Sequence, residues 1–294
     1  MADLKQLVAA ELATPVDPRV AAMAAAIAAK HRAASRAVLF YGSCLREQQL
    51  DGLMLDFYLI VGDYRPAYDR RWLAVANRLI PPNVFYFELK GLTAKYAVLS
   101  EADFRRETGL NARSTSVWAR FAQPSRLVWA AAEQAAGRVR DAVEEAAPTL
   151  FQFTIPMMGP DSDRSISDIW SRGFELTYKA ELRAERAGKP ASIIGADPDR
   201  FERFGRAALS TVADSMSPGD TARWWRGMQR KGKLLSVVRL AKASATFAGG
   251  VDYIAWKINR HAGTQIQIKP WQRRWPLLAA ISLLPRLLKS GAVR

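Results

Sequence analysis

Two short runs early in the chain limit what it can fold into. Residues 38–41 and 54–61 are rich in β-branched and aromatic side chains, and Gly42-Ser43 breaks the chain directly after the first. Each is the length of a strand and too short for a typical helix. Residues 84–89 and 96–99 have the same character and predict a third and a fourth strand. Between these pairs, residues 69–79 read as a helix that must stop at Pro81-Pro82, and residues 20–36, Ala-rich with no Gly or Pro, read as a helix leading into the first strand. After Pro124 the pattern turns helical over 125–146, 167–185 and 199–215. The expected class is therefore α/β (α+β): a mixed sheet, then a mainly helical part. The Gly-, Pro- and Asp-rich stretches at 156–164 and 216–220 are candidate boundaries. The expected division is 1–125, 126–220 and 221–294.

Charge sharpens that division. The 294 residues carry a formal charge of +15, yet residues 221–294 hold fifteen Lys/Arg against one acid, Asp252, and five of the nine tryptophans. Residues 1–220 are nearly neutral, with 28 basic and 27 acidic side chains. A basic, aromatic C-terminal region on a neutral body implies a polyanionic partner, either an anionic membrane surface or nucleic acid. One cysteine, Cys44, excludes a disulfide scaffold or Cys-rich zinc site, and two histidines argue against a multi-His metal centre. No run of 18 apolar residues predicts a spanning helix, and Asp3, Lys5 and Glu11 interrupt the N-terminal Ala-rich stretch where a signal peptide would need continuity.

The chemistry-bearing residues lie on the two early strands. A strand, a Gly-Ser turn, a helix start and a carboxylate (Asp56) on the next strand resemble the arrangement of polymerase-β-type nucleotidyltransferases. In such an arrangement the glycine would admit a triphosphate close to the backbone, the Ser43 hydroxyl and following N–H groups would meet phosphate oxygens, and Asp56 would hold Mg²⁺ against them. That pattern ordinarily places a second carboxylate two residues on, on the same strand face. Here the position is Tyr58. Glu88, a charge amid the aromatics of the third strand, is the candidate second metal ligand; its other reading is a strand-end residue reaching solvent. Asp63, seven residues past Asp56, lies about 23 Å along an extended strand and cannot share its metal.

Four segments in order carry a closer resemblance: Phe40-Tyr41-Gly42-Ser43, Met54-Leu55-Asp56-Phe57, Lys95 to Ser100, and Trp118-Ala119-Arg120-Phe121-Ala122-Gln123-Pro124. Together they are similar to the mitochondrial-type phosphatidate cytidylyltransferases, the translocator assembly and maintenance proteins that act as peripheral CDP-diacylglycerol synthases. Residues 242–257 resemble that family's C-terminal element, while 130–235 match loosely. The resemblance implies that Gly42 and Ser43 seat the phosphates of CTP, Asp56 binds Mg²⁺, and Lys95 and Arg120 neutralise triphosphate or phosphatidate oxygens, with Lys95 also contacting the nucleotide. Gln123 stands where the family has Lys, and Ala97 where it has Gly. The implied reaction is CTP plus phosphatidate giving CDP-diacylglycerol and pyrophosphate. The phosphate monoester is itself the nucleophile, so alignment and neutralisation suffice without a strong general base.

A two-tailed lipid substrate requires a membrane contact. Residues 269–289 combine Trp271 and Trp275 on one helical face with Arg273, Arg274 and Arg286 beside an apolar run broken by prolines. That composition suits a helix lying in the interface more than one crossing it; docking on the protein body is its other reading. The expectation is a peripheral protein at the cytoplasmic face of the inner membrane, or the matrix side of a mitochondrial-type one. Its expected partners are CTP, phosphatidate and anionic lipid, with a homodimer possible and no nucleic acid. Two alternatives stand beside this: an RNA nucleotidyltransferase extending a 3′ end, with Trp224 and Trp225 stacking on bases, or an inactive protein that binds nucleotide and membrane.

Overall fold

Strands drawn from residues 35–130 pair into one sheet in a computed structural model of the chain, which describes residues 3–47, 50, 52–159, 165–181, 189–212, 216–246 and 269–270. The strands are β1 (Ser35–Tyr41), β2 (Met54–Val61), β3 (Asn83–Leu89), β4 (Leu92–Ser100) and β5 (Ser125–Ala130). Their order is β3-β4-β2-β1-β5. β2 and β4 run parallel and every other pairing is antiparallel. The β3–β4 hairpin turns on Lys90 and Gly91, both at positive φ (48° and 80°), the conformation a two-residue hairpin loop requires. The protein is a mixed α/β fold.

Helices cover both faces. α1 (Leu4–Ala13), α2 (Pro18–Lys30), α3 (Ser43–Glu47), α4 (Tyr64–Ala67) and α5 (Arg71–Leu79) precede β3. α6 (Glu101–Thr108) and α7 (Trp118–Phe121) lie between β4 and β5, and α8 (Glu133–Glu144), α9 (Ala146–Thr154), α10 (Ile166–Ala180), α11 (Lys189–Gly195), α12 (Pro198–Leu209) and α13 (Pro218–Thr246) follow. Alternation along β2 sorts the cores. Leu55, Phe57, Leu59 and Val61 face Val20, Met23 and Ile27 of α2. Tyr58 and Ile60 face the opposite way, into a core continuous through α1 and α7–α10 to Phe201 of α12 and Trp225 of α13. Asp56 belongs to this second face.

Three local expectations need correction. The helix expected over 20–36 ends at Lys30, because Arg32 takes a positive φ of 53° and Ser35 and Arg36 already belong to β1. The helix expected over 125–146 begins at Glu133; residues 125–130 form β5, paired with β1, so the sheet continues past the boundary placed at 125. Trp224 and Trp225, candidates for stacking on bases, are structural instead. Trp225 is 2% exposed and its Nε1–H donates to the Phe153 carbonyl at 2.7 Å, while Trp224 stacks on Phe153 at 3.8 Å.

Two contacts knit the helices together. Arg200 of α12, 3% exposed, donates to both oxygens of Glu11 on α1 (2.8 and 3.0 Å) and to the Ala122 carbonyl (2.8 Å). Gly232 of α13 crosses the end of α10 so closely that a Cβ there would stand 2.1 Å from the Ala180 carbonyl oxygen. Among the described residues no helix is long and apolar enough to cross a membrane. The segments at 243–268 and 271–289 that carried the lipid expectations lie outside the described residues or their side chains.

Candidate functional site

A single row across the sheet sets the site: Tyr86, Lys95, Asp56 and Tyr41 are direct neighbours on β3, β4, β2 and β1, so their side chains share a face. Lys95 Nζ lies 2.9 Å from Asp56 Oδ1, with the two side chains 29% and 15% exposed. That oxygen is buried and accepts no hydrogen bond, so the contact is an ion pair by distance without donor alignment. The other carboxylate oxygen faces Gly42. At φ +95° a side chain is disfavoured there in any case, and a Cβ would approach Asp56 Oδ2 to 2.7 Å. Glycine is thus required twice, for the turn after β1 and for the approach of the carboxylate. Ser43 follows at once as the first residue of α3.

Arg120 reaches this row from α7. Its guanidinium donates to the Ser116 carbonyl and lies near the Tyr41 phenol. Burial works against its charge, the Glu181 and Asp56 carboxylates nearby favour it, and the guanidinium stays protonated. Burial also pushes the Tyr41 and Tyr58 hydroxyls above the usual phenol pKa, so both phenols stay neutral. Tyr58 stands where a second carboxylate was sought. It is 2% exposed, packed between Tyr41 (5.3 Å) and Phe121 (5.2 Å), and serves as an apolar floor.

Glu88 is not brought to Asp56. It is exposed on β3, accepts a hydrogen bond from Tyr86 at 3.1 Å, and lies opposite Thr93, with β4 standing between it and β2. Among the described residues no group of three or more His, Cys, Asp and Glu is arranged to hold a metal.

The structure adds three residues to the expected set. Glu181, just past α10, accepts a hydrogen bond from Ser116 Oγ. Arg239 of α13 donates to the same Oγ at 3.0 Å and to the Pro81 carbonyl at 2.9 Å. Lys242, one turn on, donates to the carbonyls of Ile80 and Pro82, the latter at 2.8 Å. Burial, then the nearby Arg239, lowers its pKa to about 7. Lys95, Arg120, Arg239 and Lys242 thus face Asp56, Glu181 and Glu107, the last of which is also paired with Arg106. The surplus is positive, and the centre suits a polyanion.

No protein-family model matches the chain, and no curated protein matches it. Among solved structures, the chain is similar to a nucleotidyltransferase-like protein from Exiguobacterium sibiricum, at 11% identity and a TM-score of 0.30, with 92% of each chain covered.

Proposed function

We propose that this protein is a phosphatidate cytidylyltransferase, joining CTP and phosphatidate into CDP-diacylglycerol with release of pyrophosphate. The observation that carries the reading is the convergence of Gly42, Asp56, Lys95 and Arg120, from four separate stretches of sequence, on one cationic centre. The order of the sequence motifs narrows it from nucleotidyl transfer in general to this substrate pair.

The donor set fits one magnesium ligand. Asp56 Oδ1 is a buried carboxylate oxygen with no hydrogen bond of its own, and Mg²⁺ is commonly held by one carboxylate together with substrate phosphates. Bound there, the ion would neutralise charge on the triphosphate. Lys95 would shift from Asp56 to a phosphate oxygen, and Arg120, already charged and oriented by Ser116, would present its fork to another. Gly42, having no side chain, lets the Asp56 carboxylate close on the turn that the triphosphate would meet. A phosphatidate oxygen bonds to the α-phosphorus as the bond to the β-phosphate breaks, and pyrophosphate carries away the charge. No side chain need remove a proton from a dianionic nucleophile.

This reading places the protein at an anionic membrane surface on the cytoplasmic face, supported by the fifteen Lys/Arg against one acid in residues 221–294. The deciding assay follows radiolabel from CTP into chloroform-soluble product with phosphatidate present, with and without EDTA. We expect product only with phosphatidate and free divalent ion, and a loss of about a thousandfold in Asp56→Asn, the scale of losing a preorganised charged group. Label passing to an oligonucleotide 3′ end instead would establish the RNA alternative.

A further inference from the structure

α5 presents to solvent a face that a soluble helix would ordinarily bury. Trp72, Val75 and Leu79 are 45%, 57% and 73% exposed. Spaced three and four residues apart, they form one stripe, while Ala74 and Asn77 turn inward. The other large apolar side chains exposed among the described residues, Leu110, Leu209, Met216 and Leu234, lie on separate segments. Arg71 and Arg78, also exposed, fall along one margin of the stripe, Arg78 meeting the exposed Asp63 at 3.3 Å. The approach to the helix adds Arg65 and Arg70, so residues 63–79 hold four arginines against two aspartates.

We propose that this face of α5 is a docking surface for an anionic lipid bilayer, distinct from residues 269–289. The stripe is a convex helix surface rather than a groove, which fits a deformable planar partner better than a protruding peptide. Tryptophan and aliphatic side chains flanked by arginines are the pairing that settles at a headgroup boundary. Charge selects the lipid: the arginine margin and the net charge of +15 favour an anionic surface over a neutral one. Position links the face to the centre described above. α5 runs directly into Ile80, Pro81 and Pro82, whose carbonyls are held by Lys242 and Arg239, so a bilayer at α5 sits one short loop from the cationic cluster. The proposal rests on the lipid reading of that cluster for its purpose, though not for its test.

The test uses the full chain with a fluorophore sensitive to polarity attached at Val75→Cys; Cys44, the one native cysteine, is buried. We expect a blue shift on adding phosphatidylcholine vesicles that contain phosphatidylglycerol, and little shift with phosphatidylcholine alone. A triple variant, Trp72→Gln with Val75→Gln and Leu79→Gln, should partition onto the anionic vesicles about tenfold more weakly, as expected when an interfacial helix loses its apolar face. It should keep its melting temperature and its turnover of short-chain, water-soluble phosphatidate. An unshifted label on vesicle-bound protein would overturn the proposal. So would a sharp fall in melting temperature, which would mean that the chain covers this face itself, or conversion of a dimer to a monomer, which would assign the face to a second copy. If the parent turns over no soluble phosphatidate while the blue shift persists, the cytidylyltransferase reading fails and the docking surface stands.

Discussion

Gly42 and Asp56 constrain each other. The first must stay without a side chain because the second's carboxylate occupies the space, and the turn holds φ at +95°. Gly42→Ala should therefore act on both stability and chemistry. We expect a loss of about 1–3 kcal/mol in urea unfolding from the backbone conformation, with turnover falling much further than the folded fraction does. Equal losses would make the glycine purely structural. Glu88 supplies the contrasting case. Its carboxylate is exposed and bound to Tyr86, with a whole strand between it and Asp56, so Glu88→Gln should change turnover less than twofold in the cytidylyl-transfer assay. At this scale the sequence was informative where chemistry sits next to a turn: Gly42, Asp56, Lys95 and Arg120 meet as their motifs suggested. It was uninformative for Glu181 and Arg239. Glu181 follows α10 and Arg239 lies in α13, both in the later half of the chain, and the long-range fold alone brings them to the strands. Lys242 had a faint signal, as the first residue of a segment resembling a family element.

Among elements, α1 and α12 show how a near-neutral body holds its layers together. Arg200 and Glu11 form a buried fork, with Arg200 also lying over the Phe204 ring at 3.9 Å. Such a pair adds little net stability over an apolar substitute, but breaking one half leaves a buried charge alone. Glu11→Ala should cost about 3–5 kcal/mol in urea unfolding, and a loss under 1 kcal/mol would show that water reaches Arg200. The expected strands at 38–41, 54–61 and 84–89 fall within β1, β2 and β3, because β-branched and aromatic runs end at clear breakers. Residues 125–130 read as helix in the sequence because they run straight into an Ala-rich stretch. Their pairing with β1 prevailed over that neighbouring propensity.

Across the whole molecule, α13 is the connection between the two halves. Its first turns are fixed in the helical core by Trp225, and its later turns hold the loop at 80–82 through Arg239 and Lys242. The lowered pKa of Lys242 gives this bridge a pH signature. In the unfolded chain the lysine titrates near 10.5 and in the folded one at about 7, so between those values the unfolded state binds more protons. Parent stability should rise with pH across that window relative to Lys242→Met, and the difference should be flat below pH 7. Melting temperatures of the two proteins from pH 6 to 10 check the sign; parallel curves would place the amine in water.

The tight crossing of α13 over α10 has a consequence of its own. With the Ala180 oxygen 2.1 Å from where a methyl at position 232 would stand, even alanine would push the rod outward by about an ångström. Arg239 lies seven residues further along, about two turns. A hydrogen atom at a place touching no substrate therefore keeps a distant guanidinium in reach of Ser116, as a notch in a lever sets the throw at its far end.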